Sequence, residues 1–389
     1  MTYLDNAATT RISPAALAAM RDAYAGDAWA NPSSTHAAGD AALRALEEAR
    51  ARIAACLQAR PREVELTSGG TEANNQALLT GAAYGARTGR HHIVASAIEH
   101  PSVLAALELL QAGDYRGIPF EVTLVAPNAQ GIVEIPTLKA ALREDTCLAS
   151  LMYANNEVGS VQPVRDACRM CRKRGILFHT DAVQAAGHLP VDFTRDGFDL
   201  LSVSAHKFHG PRGTGALVCS HRLGGPTALL LGGAQERGRR AGTQDVAAAA
   251  GMASALEEAC EGMGAAAARI EELRTRLIEG LSGIAGCHIL GPTEPVDRLP
   301  GIVNVCLEEV DHDAALVLLD EAGICVSAGS ACSAGATQPS HVLSAMGVSA
   351  GLARGSLRLS LDARENDEAD VDAAVRAISD VAARLRGNR

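Results

Sequence analysis

Between residues 62 and 220 the sequence alternates short β-rich runs with longer alanine-rich helical runs, an order that few folds accept. The candidate strands are EVELTS (63–68), HHIVAS (91–96), FEVTLVA (120–126), CLASLMYA (147–154), ILFHTDA (176–182), DLLSVSA (199–205) and GALVCS (215–220). Stretches such as TEANNQALLTGAAYGA and PVRDACRMCRKRG separate them. Strand–helix–strand alternation of this length predicts an α/β fold, with a mostly parallel seven-stranded sheet covered by helices on both faces. After about residue 250 the rhythm changes. A connecting helix of some 25 residues leads into a smaller α+β unit: strand GIVNVCLE, helix HDAALVLLDEAG, a Ser/Gly/Ala loop at 327–338, strand SLRLSL and a last helix DEADVDAAVRAISDVAARLRG. We therefore expect a large domain at 14–258. A small domain made of 1–13 and 259–389 would carry the loop.

Composition narrows the function classes. A chain of 389 residues with 47% hydrophobic and 21% charged residues is an ordinary folded, soluble protein. Its net charge of −10 argues against nucleic acid or an anionic membrane as the main partner, while leaving room for a small anion at a local site. No run approaches the ~18 apolar residues of a membrane span, and the opening MTYLDNAATTRISP has no basic or apolar leader, so a cytoplasmic location is expected. Ten cysteines are scattered through a chain long enough to build its own core, so they read as reduced thiols. Cys168 and Cys171 form one C-x-x-C in a helical stretch without a second pair. Buried thiols are expected there, and no metal site.

In an open α/β sheet, ligands bind beyond the carboxyl ends of the strands, so the residues following each strand matter most. SGGTEANN follows the first. Gly69 and Gly70 let backbone amides approach an anion at a helix start, although a plain turn capped by Thr71 would look the same. The spacing is not that of a nucleotide-binding loop. His100 follows the second strand, where a capping or core histidine is the common case. ANNEVG follows the fourth, with two adjacent amides. HTDAVQAAG places Asp181 at a strand end and Gln184 three residues on. SVSAHKFHGPRGTG follows the sixth and holds Lys207, one of only three lysines among 35 basic residues. A lysine amine can lose its proton and attack a carbonyl; a guanidinium cannot. A phosphate cradle, an imidazole, an acid, an amide and a lysine at one sheet edge are the set that pyridoxal phosphate needs.

The chain resembles the pyridoxal-phosphate-dependent cysteine desulfurases of the NifS/IscS type, class V aminotransferase-like enzymes of fold-type I, nearly end to end. The blocks that carry the likeness are YLDNAATT (3–10), NPSSTH (31–36), TSGGTEANN (67–75), EHPSV (99–103), NNEVG (155–159), HTDAVQAAG (179–187), SAHKFHGPRGTG (204–215), GGAQERGRRAGTQD (232–245), GICVSAGSACSAG (323–335), PSHVL (339–343) and SLRLSL (356–361). The resemblance implies that Lys207 bonds to the cofactor aldehyde and later moves the substrate α-proton. Asp181 would pair with the ring nitrogen, Gln184 with the ring oxygen, and His100 would stack on the ring and assist proton transfer. Gly70, Thr71, Ser204 and His206 would hold the phosphate. Thr243 would reach the phosphate of a partner subunit, which implies a homodimer. Asn156 and Arg358 would hold the substrate carboxylate.

Cys332, among small residues, would take the sulfur of L-cysteine as a persulfide, release L-alanine, and pass the sulfur to an acceptor such as an iron–sulfur scaffold. The length from Cys332 to PSHVL matches the NifS/IscS branch and favours it over selenocysteine lyase. The spelling around 234–244, and the lack of a longer tail after Arg389, lean toward a nitrogenase-related type. One departure follows Arg358, where SLDARENDEAD replaces the usual Gly or Ser and Thr-rich helix start. It is expected to touch a helix cap more than chemistry. Two other readings stay open: another enzyme of the same fold, such as an aminotransferase, which needs no Cys332; and a non-catalytic subunit of a sulfur-transfer complex.

Overall fold

A computed structural model describes residues 1–329 and 340–387. Among these the strands are β1 (Thr2–Tyr3), β2 (Val64–Thr67), β3 (His92–Ser96), β4 (Glu121–Val125), β5 (Thr146–Ser150), β6 (Leu177–Asp181), β7 (Leu200–Ser204), β8 (Gly215–Cys219), β9 (Cys287–Leu290), β10 (Ile302–Leu307), β11 (Ile324–Cys325) and β12 (Ser356–Ser360). The seven expected strands form one sheet in the order β2-β8-β7-β6-β5-β3-β4. Four of its six pairings are parallel; β8 runs antiparallel to both β2 and β7. The reason is local. Only residues 205–214 join β7 to β8, too few for the crossover helix that a parallel neighbour requires. The fourth expected strand is shorter than its apolar run. Beyond Ser150 the chain still follows β6, through Leu151 N–H to His179 O (3.1 Å) and Tyr153 N–H to Asp181 O (2.8 Å), before it turns.

The apolar interior falls into separate clusters. Val94, Phe178, Leu201 and Val203 of the large sheet pack with Leu46, Ile53 and Leu256 on one side, and Ile93, Leu148 and Leu217 pack with Leu78 and Leu107 on another. A distinct cluster unites Val303, Val305, Leu357 and Leu359 of the small sheet β12-β10-β9 with the last helix, Glu368–Gly387. The connecting helix is longer than the sequence suggests, running from Val246 to Ser282, 37 residues. Asp245 caps it by accepting from Ala248 N–H (2.9 Å), and no proline interrupts it. Its first turns enter the large core through Met252 and Leu256. Ile270, Leu273, Leu277 and Leu281, at helical spacing, enter the small one. No described helix is long and apolar enough to cross a membrane.

The N-terminal residues belong to neither core alone. β1 pairs with β11, Ser360 N–H donates to Leu4 O (2.7 Å), and the chain then passes the carboxyl edge of the large sheet. Cys168 and Cys171 lie buried on the helix Val164–Lys173, where burial pushes both thiols up to about 12.

Candidate active site

The carboxyl ends of β5, β6 and β7, and the loops after β2 and β3, surround a cleft of about 760 Å³ counted with its mouth. The glycine turn after β2 has the required openness. Gly69 sits at φ +145°, and a Cβ on Gly70 would lie 2.7 Å from Val183 Cγ2. A Cβ on Gly215 would come within 2.5 Å of Val203 O and 2.7 Å of Gly69 Cα, so three backbones meet here with no room for side chains. The helix Gly70–Thr88 starts at this turn, and its first N–H groups and positive dipole end favour an anion. Thr71, Ser204 and His206 line the same end of the cleft. Burial, aided by the charges of Lys207 and Arg212, drives the His206 pKa down to about 4, so its ring is neutral near pH 7.

Lys207 closes a single 3-10 turn, Ala205–Lys207, directly after β7. Its Nζ donates to Ala7 O (2.6 Å) and Ala8 O (2.8 Å) of the N-terminal segment. Gln184 Nε2 donates to the same Ala7 O (2.9 Å). Asp181, the last residue of β6, accepts from Val183 N–H (2.9 Å) and from Asn74 Nδ2 (2.7 Å). His100 caps the helix Pro101–Ala112, its Nδ1 accepting from Ser102 N–H (3.1 Å).

Two buried titratable groups flank Asp181. Glu99 is pushed up to about 8 by burial, reinforced by the charge of Asp181 and opposed by the Met152 N–H. Burial lowers His179 to about 4; its ring nitrogens contact Ser150 Oγ (2.9 Å) and Ser202 Oγ (3.0 Å). Near neutral pH neither puts a charge beside Asp181.

The small sheet sends Arg358 to the cleft from β12. The guanidinium is 1% exposed, pairs with Asp5 Oδ1 (2.7 Å) and donates to Asn156 O (3.0 Å). Two residues after Lys207, His209 adopts φ +65°. Its Nδ1 faces Arg11 O (2.9 Å) and its Nε2 faces Asp362 Oδ2 (2.9 Å). Both partners are acceptors, so the ring is held as an imidazolium. Burial opposes that charge, but the hydrogen bond and charge of Asp362 outweigh it and raise the His209 pKa. Burial likewise opposes the Asp362 charge, and His209 overcomes it, lowering the Asp362 pKa. The SLDARENDEAD departure therefore does more than cap a helix: its Asp362 clasps the lysine loop to the small sheet. It also supplies a cap, with Asp370 N–H donating to Asp367 Oδ1 (3.0 Å).

The structure thus brings Lys207, Asp181, Gln184, His100 and the phosphate-cradle residues to one cleft, together with Asn156 and Arg358. Thr243 is exposed and does not line this cleft. Cys332 lies outside the described residues, but its flanks reach the cleft rim. Ser327 pairs with Arg358 through two backbone bonds, Ser340 Oγ donates to Glu157 Oε2 (2.5 Å), and His341 Nε2 donates to Glu99 O (2.9 Å). Sequence reasoning misses the carbonyls of Ala7 and Ala8, which carry no side-chain signal. It also misses Asn74 and Asp5, although both stand inside the blocks YLDNAATT and TSGGTEANN.

Comparison with known proteins agrees with this geometry. The aminotransferase class-V family model matches residues 2–374. The cysteine desulfurase IscS of Methanosarcina thermophila is 41% identical, over 99% of this chain and 92% of that protein. An IscS-like cysteine desulfurase of Mycobacterium tuberculosis is 44% identical, over 99% and 97%. A solved NifS-like protein superimposes with a TM-score of 0.88 at 37% identity, covering 98% of this chain and 99% of that one. The chain belongs to the class-V aminotransferase family and, within it, to the cysteine desulfurases of the NifS/IscS type.

Proposed function

We propose that the protein binds pyridoxal phosphate and converts L-cysteine to L-alanine, taking the sulfur on Cys332 and passing it to an acceptor. The observation that carries this reading is the convergence of Lys207, Asp181 and the glycine turn on one cleft from three separate strands. The residues fit the cofactor. The turn needs glycine at 69 for its φ of +145° and at 70 because a Cβ would meet Val183 Cγ2 at 2.7 Å, and it stands at the head of a helix whose N–H groups suit a phosphate. Asp181 suits a ring nitrogen, Gln184 a ring oxygen, and Lys207 an aldehyde. Bound pyridoxal phosphate would supply the carbonyl for the amine and a ring that withdraws electrons from the substrate Cα.

The protein side of the reaction then follows. Gly70, Thr71, Ser204 and His206 would hold the phosphate, His206 as a neutral donor. Asn156 and Arg358 hold the substrate carboxylate, a task suited to a guanidinium fork. Lys207 Nζ would take the substrate Cα proton, and His100 would face the ring and assist. The Cys332 thiolate attacks the substrate sulfur. A sulfur–sulfur bond forms as the carbon–sulfur bond breaks, and the electron pair leaves with the carbon fragment, which is protonated to alanine.

Thr243 is read as reaching the phosphate of a partner subunit. The exposed apolar side chains of Trp29 (70%) and Leu231 (85%) support a homodimer. The separate apolar clusters support a cofactor-binding unit at 14–258 and a small unit from 1–13 and 259–389. An iron–sulfur scaffold is the acceptor this reading favours, in the cytoplasm, with a nitrogenase-related role as one form of it.

The test is turnover of L-cysteine by the cofactor-loaded protein with a thiol reductant, against Cys332→Ser. Equimolar alanine and sulfide, lost in the variant, are expected. Alanine from both proteins would remove Cys332 from its role, and alanine from neither would defeat the desulfurase reading.

A further inference from the structure

We propose that Asn74 and Ser102 are positioning residues that join Asp181 to His100, so that the acid suited to the cofactor's ring nitrogen and the imidazole suited to its face act as one hydrogen-bonded unit. The inference rests on the cofactor reading above.

Asn74 sits on the helix Gly70–Thr88, 1% exposed. Its Nδ2 lies 2.7 Å from Asp181 Oδ2 and 3.0 Å from Ser102 Oγ. An amide nitrogen has two hydrogens and no acceptor capacity, so both contacts are donations. Turning the amide over would set its carbonyl against the Asp181 carboxylate, which fixes the orientation. That orientation has a visible cost: Asn74 Oδ1 is buried and has no hydrogen-bond partner among the described residues. An apolar side chain of the same size would avoid an unsatisfied carbonyl. The amide is therefore explained by its two donors and not by its volume.

Ser102 continues the line. Its Oγ accepts from Asn74, and its own proton goes to His100 Nδ1 at 2.8 Å. The backbone N–H of Ser102 donates to the same nitrogen. With two donors on Nδ1, the neutral ring carries its proton on Nε2, the tautomer this network assigns. The line has one direction on each side of Asn74: straight to Asp181, and through the Ser102 hydroxyl to His100.

A carboxylate that accepts a strong donor is a weaker base. Without the Asn74 donor, Asp181 competes harder for the proton on the ring nitrogen, and the ring withdraws fewer electrons. The pH at which the Lys207-bound chromophore loses its proton should then rise. Ser102 reaches Asp181, and so this midpoint, through Asn74.

The experiment loads the wild type, Asn74→Ala, Ser102→Ala and the double variant with pyridoxal phosphate, and follows visible absorption against pH with no cysteine present. The midpoint is expected to rise by about one unit in Asn74→Ala and by less in Ser102→Ala. The double variant should match Asn74→Ala, because groups in series are not additive. Alanine formation should lose about 10-fold in kcat with KM for cysteine unchanged. An unmoved midpoint in a folded, fully loaded Asn74→Ala protein, or shifts that add, overturns the proposal. Should Asn74→Ala fail to fold, an unmoved midpoint in Ser102→Ala overturns it equally. A wild type that takes up no cofactor defeats both this proposal and the reading beneath it; a wild type that loads normally leaves only the proposal at stake.

Discussion

The large sheet and the small sheet are both packed on apolar cores, yet they contribute to the cleft in opposite ways. The large sheet offers many polar groups from several loops, most of them satisfied within the same unit or by the N-terminal segment: Asp181 by Asn74 and Val183, His100 by Ser102, Lys207 by Ala7 and Ala8. The small sheet offers Arg358, whose guanidinium partners come from elsewhere, Asp5 and Asn156. The polar groups at the large-sheet edge are thus held close to where they arise, whereas the Arg358 guanidinium is held by residues outside its own sheet.

That contrast can be broken first at Lys207. Lys207→Ala should lower alanine formation by at least about 10³-fold, while melting stays near that of the wild type and the colour of the loaded protein changes. Alanine formation at the wild-type rate would show that the large-sheet edge does not carry the chemistry. Next is the buried pair that ties residues 232–245 to β2. Arg50 donates to both oxygens of Glu236 at 2.6 and 2.8 Å, and Glu236 also accepts from Leu66 N–H (2.9 Å). Removing one partner strands the other charge, so Arg50→Ala should cost about 3–5 kcal/mol in urea unfolding. A cost near zero would mean that this edge is not held by its buried charges.

Arg358→Ala sharpens the other side. On the proposed role of this guanidinium toward the substrate carboxylate, KM for cysteine should rise about 100-fold with cofactor uptake unchanged. Loss of cofactor binding would erase the division of labour. The smallest effect concerns the clasp between the lysine loop and the end of β12. The raised pKa of His209 gives stability that is full below its usual value of about 6.5 and is lost as pH rises through the folded value. The lowered pKa of Asp362 gives stability that is present above its usual value of about 4 and is lost as pH falls through the folded value. The clasp is therefore strongest between about pH 4 and 6.5. Melting temperature should decline above that window in the wild type, and Asp362→Asn should flatten the decline. An unchanged slope in the variant would remove the clasp from the account.

Much of this arrangement is legible in the sequence. The seven strands of the large sheet are apolar runs between turn-forming residues, and the polar residues just past them point to the cleft. β1 and β11 are not legible, because two residues leave no period to read. The helices Pro14–Ala25 and Ala37–Cys56 lie in an alanine-rich stretch whose contrast between faces is too weak to mark them. Within the site, residues with distinctive chemistry such as Lys207 and Asp181 stand out. Partners that work through backbone oxygen do not. Nor do pairs such as Asp5 with Arg358, 353 positions apart, since only the fold brings them together.

The helix Val246–Ser282 enters both apolar cores, with one continuous rod of 37 residues between them. At about 1.5 Å per residue it is about 55 Å long, so it works as a lever. A tilt of about 1° at the end seated in the large core moves the far end by about 1 Å, and the small sheet that bears Arg358 packs on that far end. The position of Arg358 at the cleft is thus tied mechanically to packing in the opposite half of the molecule.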